Sequence, residues 1–307
     1  MSEAQTRFDV IVIGGGPGGY TAALYAARAG FSVRVLEKLA PGGQMATTDR
    51  IDNYPGFPEG IEGFELAQKM KQSAERFGVT TRMREVLEVS LAGEIKEVRT
   101  KKETLTARTV VLATGAYPRE LGLPEENALR GRGVSYCATC DGMFYRGKTV
   151  CVAGGGNSAA EDALYLSRLC EKVYLIHRRD QLRASKVYVD LLEKVENIEM
   201  VWNSGVTKIL HEDTVTGVAV QDKITGESRE IPCDGLFVAV GRIPESALFA
   251  GQVALSEAGY VLADETTRTN LPGVFAVGDL REKPLRQVVT AAADGAVAAH
   301  FIEEYLA

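Results

Sequence analysis

Two hydrophobic rhythms alternate along this chain. Short runs rich in β-branched residues mark buried strands, and alanine-rich stretches mark helices that lie close to a sheet. Phe8-Asp9-Val10-Ile11-Val12-Ile13 is a strand-forming run that ends directly in Gly14. Residues 20–29 form a helix stopped by Gly30, and residues 31–36 give the next strand, with Glu37 at its end. The same succession returns later: strand 149–153, helix 160–169 and strand 172–176. Between each first strand and its helix lies a glycine loop. The first reads Gly14-Gly15-Gly16-Pro17-Gly18-Gly19 and the second Gly154-Gly155-Gly156-Asn157-Ser158-Ala159. Strand, glycine loop, helix and strand in that order are the context in which backbone N–H groups at a helix start bind a pyrophosphate. The chain is thus α/β, with two Rossmann-like, three-layer nucleotide-binding domains.

Further strands are expected at residues 109–113, ending in Thr114-Gly115, at residues 236–240, ending in Gly241-Arg242-Ile243-Pro244, and at residues 274–279. Ala116-Tyr117-Pro118 and the Gly241–Pro244 segment break the regular pattern. They mark two crossings around an inserted domain, residues 118–247. The flanking pieces, 1–117 and 248–307, then make one discontinuous domain closed by a helix over 287–306. Residues 64–77 form a further packed helix, with Phe64, Ala67, Met70, Ala74 and Phe77 on its inner face.

The two glycine loops part company at the end of the strand after the helix. Glu37 can accept hydrogen bonds from ribose hydroxyls, and a carboxylate there repels a 2′-phosphate. The offset that carries Gly14 to Gly154 carries Glu37 to His177, followed by Arg178 and Arg179, with Arg183 nearby. Guanidinium groups in place of a carboxylate favour a 2′-phosphate, hence NADPH. Two nicotinamides in one chain make little chemical sense. A flavin at the first site does, because it takes hydride from NADPH and passes both electrons on.

Composition narrows the picture. A formal net charge of −6, without a basic block, argues against nucleic acid or an anionic membrane as partner. No leader-like or long apolar segment is evident, so a cytoplasmic location is expected. Five cysteines are present: Cys137, Cys140, Cys151, Cys170 and Cys233. The Cys137-Ala138-Thr139-Cys140 spacing suits a redox pair or half of a metal site. A metal site needs further ligands, and the three histidines (His177, His211, His300) are scattered, so no metal is expected. Cys151, Cys170 and Cys233 read as small buried hydrophobes.

The combination resembles the low-molecular-weight thioredoxin reductases of the bacterial type. The motifs that carry the resemblance span nearly the whole chain in order. They are the two glycine loops, Pro41-Gly42-Gly43-Gln44, Asn53-Tyr54-Pro55-Gly56, Ala113-Thr114-Gly115, Cys137-Ala138-Thr139-Cys140-Asp141-Gly142, His177-Arg178-Arg179-Asp180, Gly278-Asp279 and Arg286-Gln287. The resemblance implies FAD along Gly14, Gly16, Pro17, Gly18, Glu37, Gly43, Gln44, Asn53, Ala113, Gly115, Asp279, Arg286 and Gln287. It implies NADPH on Gly154, Gly156, Asn157, Ser158, Ala159, His177, Arg178, Arg179 and Arg183. It further implies that Cys140 faces the flavin, that Cys137 attacks the disulfide of a thioredoxin or thioredoxin-like protein, and that Asp141 donates and accepts protons. A homodimer is expected. The alternatives keep flavin and dithiol but change the terminal acceptor, as in a peroxiredoxin-system reductase or a small-molecule dithiol oxidase. A flavin-bound redox sensor is the reading outside catalysis.

Overall fold

The computed structural model describes residues 6–48 and 50–307. Along the chain come β1 (Arg7–Ile13), α1 (Pro17–Arg28), β2 (Val33–Glu37), α2 (Gly63–Glu75), β3 (Thr80–Met83), β4 (Val86–Ser90), β5 (Lys96–Thr100), β6 (Thr104–Leu112) and β7 (Ala116–Pro118). Then follow β8 (Val134–Ser135), α3 (Ala138–Asp141), β9 (Thr149–Gly154), α4 (Asn157–Ser167), β10 (Lys172–Ile176), α5 (Lys186–Leu192) and β11 (Ile198–Val201). The remainder is β12 (Ser204–His211), β13 (Val215–Asp222), β14 (Ser228–Pro232), β15 (Gly235–Ala239), β16 (Arg242–Pro244), β17 (Val274–Ala276) and α6 (Val288–Leu306).

Two compact units emerge, residues 1–117 with 243–307, and residues 118–242. The second crossing falls at Arg242 and Ile243. Residues 245–247 lie with the first unit, where Glu245 N–H donates to Gly115 O at 2.9 Å and Ser246 Oγ–H donates to Gly259 O at 2.6 Å.

In the first unit the order β3-β2-β1-β6 continues along β6, whose outer edge is shared. Its first half pairs antiparallel with β5, and its last residues, Val110 to Leu112, pair parallel with β17. Alternation sorts the side chains. Val10, Val12, Val33, Val35, Val111 and Phe275 face α1 and α6, while Ile11, Ile13, Val110, Leu112, Val274 and Ala276 fill the opposite core. Ala22, Ala23 and Ala26 of α1 and Ala298 and Ala299 of α6 are buried, which lets both helices approach the sheet closely. The second unit repeats this plan. Its sheet runs β11-β10-β9-β15-β8, all parallel, with α4 on one face and the antiparallel β12-β13-β14 sheet on the other.

Three details differ from the periodicity reading. α1 and α4 begin at Pro17 and Asn157, so the last residues of each glycine loop are already helical. Residues 278–280 form a 3₁₀ turn after β17 rather than more strand. The inner stripe of α2 is Gly63, Leu66, Ala67, Met70 and Ala74, whereas Phe64 and Phe77 are 47% and 39% exposed. Gly63 sets that rotation: a Cβ there would lie 2.0 Å from Met45 O, so the glycine seats against the 43–47 turn and the next residue faces out. Phe77 lies beyond the helix, beneath the guanidinium groups of Arg28 and Arg76.

Burial raises the half-buried Asp162 on α4 to about 7, against the pull of Arg242. Its folded pKa thus exceeds the unfolded value, so the native state binds more protons between about pH 4 and pH 7. The stability penalty therefore grows as pH rises through that window and is constant above it. Asp162→Asn is expected to stabilise the protein by on the order of 2 kcal/mol at pH 8 and by almost nothing near pH 4. Denaturant titrations of both proteins at the two pH values measure this.

Candidate active site

In the first unit, β1 runs straight into Gly14, which has φ +107°, and a Cβ there would lie 2.3 Å from Ala113 O. Only glycine permits that contact, which fixes the loop across the end of β6. Two residues further along, the situation reverses: a Cβ on Gly16 would meet nothing within 4 Å. Gly16 is the N-cap of α1, Pro17 begins the helix, and no side chain caps the first turn. The backbone N–H groups at this end are thus presented to an open space beside Gly16, the arrangement that accepts a phosphate. Glu37 is buried at the end of β2. One carboxylate oxygen accepts the Gly15 N–H at 2.8 Å and the other the Leu39 N–H at 2.9 Å. Each oxygen keeps a further lone pair for a ribose hydroxyl.

Other segments close around this loop. Gly42 N–H donates to Gly15 O at 2.7 Å, and Gly43, on the following turn, approaches Gly16. Gln44 is exposed on the same turn. Gly18 packs against Val277 and Gly278, which brings the turn bearing Asp279 beside the start of α1. Asn53 Nδ2 donates to Gln287 Oε1 at 3.0 Å, and Gln287 caps α6 in a reciprocal box with Thr290. Arg286 stacks on Tyr260 with its buried Nε unpartnered. Gly115 is held through its carbonyl by Glu245 N–H.

The second unit builds the same device. A Cβ on Gly154 would lie 2.4 Å from Ala239 O, and one on Gly156, the N-cap of α4, would again meet nothing within 4 Å. The position of Glu37 is taken by His177, whose ring lies against Gly155 at 2.1 Å from a Cβ built there. Burial pushes the His177 imidazole down, with Arg183 and Arg178 adding to the effect and backbone contacts at Gly154 and Gln181 opposing it. The ring is thus kept neutral, and its Nε2 has no hydrogen-bond partner. Arg178, Arg179 and Arg183 are all exposed. Arg183 N–H donates to Gly155 O at 2.7 Å, and Ser185 N–H donates to Asn157 Oδ1 at 2.8 Å, so the arginine-bearing segment folds back onto the loop. Ser158 is exposed and Ala159 buried in the first turn of α4.

Strand β8 continues into Cys137, the N-cap of the short α3, which carries Cys140 and ends at Asp141. Cys137 and Cys140 form a disulfide with a Cα–Cα distance of 5.3 Å, and both are half-buried. Because β8, β15 and β9 are parallel, Cys137 leaves the sheet at the same edge at which Gly154 leaves β9. That carboxyl edge is where open α/β sheets bind ligands. Cys151, Cys170 and Cys233 are buried elsewhere in this unit. Burial pushes the Cys170 thiol up to about 11, and the hydrogen bond with Cys233, together with burial, holds the Cys151 thiol well above the ordinary range. Among the described residues no group of His, Cys, Asp and Glu could hold a metal ion, and no helix is long and apolar enough to cross a membrane.

Two polar residues that shape these sites escaped the sequence reading. Ser135 Oγ–H donates to Asp141 Oδ2 at 2.6 Å, and Asp294, on α6, accepts the Gly278 N–H at 2.9 Å and Lys283 Nζ–H at 2.6 Å. The signal for Asp294 was the one charged residue in the alanine-rich stretch Val288–Ala299 of that helix.

The family model described as pyridine nucleotide-disulphide oxidoreductase matches residues 8–295, and the chain belongs to that family. The activity is that of a thioredoxin-disulfide reductase. A thioredoxin reductase of Mycolicibacterium smegmatis is 48% identical over 100% of this chain and 99% of its own. A bifunctional thioredoxin reductase/thioredoxin of Mycobacterium leprae is 46% identical over 100% of this chain and 67% of its own. The crystal structure of thioredoxin reductase from Streptococcus pyogenes superposes with a TM-score of 0.93 at 42% identity, covering 99% of each chain. Both sheets, each with its glycine loop at the end of a parallel strand, are accordingly Rossmann-like.

After mild reduction, rapid alkylation of the folded protein is expected to label only Cys137 and Cys140. Cys151, Cys170 and Cys233 should react only on unfolding, because buried thiols with raised pKa carry little thiolate. Peptide mapping by mass spectrometry, with and without denaturant, distinguishes the two classes.

Proposed function

We propose that the first unit binds FAD and the second NADPH, and that electrons leave through the Cys137–Cys140 pair to a thioredoxin or thioredoxin-like protein. The observation that carries this reading is the carboxyl edge of the second sheet, where the Cys137–Cys140 disulfide and the glycine loop emerge together. The first loop fits a flavin dinucleotide: the open space at Gly16, the uncapped start of α1 and the buried Glu37 suit a pyrophosphate and an unphosphorylated ribose. When bound there, FAD supplies a two-electron carrier between a nicotinamide and a disulfide. Gly43, Asn53, Asp279, Arg286 and Gln287 hold the remainder of the cofactor, alongside Gly14, Pro17, Gly18, Gln44, Ala113 and Gly115.

In the second unit the uncapped start of α4, at Gly156, Asn157, Ser158 and Ala159, takes the pyrophosphate, and Arg178, Arg179 and Arg183 take the 2′-phosphate. A neutral His177 at the place of Glu37 removes the anion that would repel it. In the reduced dithiol, Cys137 as thiolate attacks one sulfur of the partner disulfide and the other partner sulfur leaves. Cys140 then attacks Cys137 of the mixed disulfide, which restores the intramolecular bond and releases the partner with both its sulfurs reduced. Asp141 moves the protons that accompany these steps. Cys140 is the sulfur on the flavin side. The protein works as a homodimer. The fused relative from Mycobacterium leprae supports a thioredoxin as partner.

Anaerobic titration tests the assignment. NADPH is expected to bleach the flavin absorbance, and oxidised thioredoxin to restore it. A protein that stays colourless on incubation with FAD would sink the reading.

Replacing Arg178 and Arg179 with Ala should raise KM for NADPH far more than for NADH, because each charge-assisted hydrogen bond contributes about 1.5–3 kcal/mol. Equal changes for the two nucleotides would show that these side chains do not read the phosphate. Cys137→Ser and Cys140→Ser should each abolish thioredoxin reduction yet leave reduction of the flavin by NADPH measurable. Cys151→Ser should retain turnover. Stopped-flow absorbance separates these half-reactions.

A further inference from the structure

Ser135 stands just ahead of the redox pair and is 4% exposed. Its backbone is fixed independently of its hydroxyl, because β8 pairs with β15 in the register Phe237↔Ser135. The neighbouring Tyr136 is also anchored. Its O–H donates to Glu126 at 2.8 Å, and the buried Glu126 carboxylate accepts the N–H groups of Leu121, Gly122 and Leu123 as well. The Ser135 hydroxyl therefore hangs from a rigid base and touches three groups. It donates to Asp141 Oδ2 at 2.6 Å, accepts the Cys137 N–H at 3.1 Å, and has Cys137 O within reach at 3.4 Å.

A hydroxyl owns one proton and two acceptor lone pairs. When Asp141 is a carboxylate, the short contact takes that proton in a charge-assisted bond. When Asp141 gains a proton it becomes the donor. The serine oxygen then receives that O–H on its second lone pair, and its own proton turns to Cys137 O. The Cys137 N–H stays bonded in both arrangements. Proton transfer at Asp141 can thus proceed without leaving a half-buried polar group unpaired, a state that is costly in a low-dielectric site.

We propose that Ser135 is a positioning residue for Asp141, holding its carboxyl group in one place through both protonation states by reversing the direction of a single hydrogen bond. This rests on the proposed proton-carrying role of Asp141 and deepens it. Ser135 itself gains and loses no proton overall.

The test uses full-length, FAD-loaded protein and the single-turnover reaction of the prereduced enzyme with oxidised thioredoxin. Ser135→Ala is expected to slow this step by about tenfold or more, the range for a lost hydrogen bond to a charged group. KM for thioredoxin and the rate of flavin reduction by NADPH should be unchanged, since neither depends on the hydroxyl. Ser135→Thr, which keeps the hydroxyl, should recover most of the rate. In an Asp141→Asn background the further change to Ala should have little effect, because the two act as one unit. A wild-type rate in Ser135→Ala, failure of Thr to rescue, or a full additional loss in the Asn background would overturn the inference while leaving the role of Asp141 standing. A wild-type rate in Asp141→Asn would overturn both. Thermal unfolding of each variant identifies any loss due to misfolding.

Discussion

Everything in both sites hangs on a contact too close for a side chain. Gly14 lies against the carbonyl of Ala113, and Gly154 against that of Ala239, at distances no Cβ tolerates. In each unit that contact fixes where the central strand ends and the helix begins. The helix start is left without a side-chain cap, so its N–H groups remain for a ligand. A capping serine or aspartate would satisfy those donors internally and stabilise the helix by about 1 kcal/mol. In both units that local gain is forgone, and both forgo it at the corresponding residue.

Divergence is concentrated one strand further on. Glu37 is immobilised in a buried position by two backbone N–H groups. His177, at the matching place, is buried with no such donors to a charge, and its surroundings favour the neutral ring. The loop geometry is the same, and a neutral ring stands where the other unit has a carboxylate; the proposed choice between a ribose hydroxyl and a ribose phosphate rests on that difference. The exposed Arg178 and Arg179 follow a neutral residue that does not compete for them.

The strands at the centre of the two sheets (β1, β2, β6, β9, β10, β15 and β17) and both loops were legible because buried apolar runs and glycine runs are local signals, whereas the remaining, mostly shorter or more exposed strands, including all of β12-β13-β14, were not read. Helix starts were read late, at residues 20 and 160, because Pro17, Gly18 and Asn157 look like loop residues in a glycine-rich run. The orientation of α2 was illegible for a different reason. Phe64 and Phe77 fit the apolar stripe equally well, and only the seat of Gly63 on a distant turn excludes them. Glu245 and Ser246, expected within the insert, hydrogen-bond to Gly115 and Gly259 of the first unit, contacts that the local pattern does not show. Ser135 lies two residues ahead of the cysteine motif, yet nothing in its spacing indicates that its hydroxyl reaches Asp141. Such contacts are tertiary and leave no periodic trace.

The divided outer edge of β6 has a consequence for how the molecule comes into being. Val110, Val111 and Leu112 are fully buried, and their outer edge is completed by residues 274–276, near the opposite end of the chain. During synthesis from the N-terminus, the continuous insert emerges whole while this apolar edge is still open. An unpaired edge of that kind invites pairing with other chains. The nascent protein therefore carries this open apolar edge from the synthesis of β6 until β17 arrives.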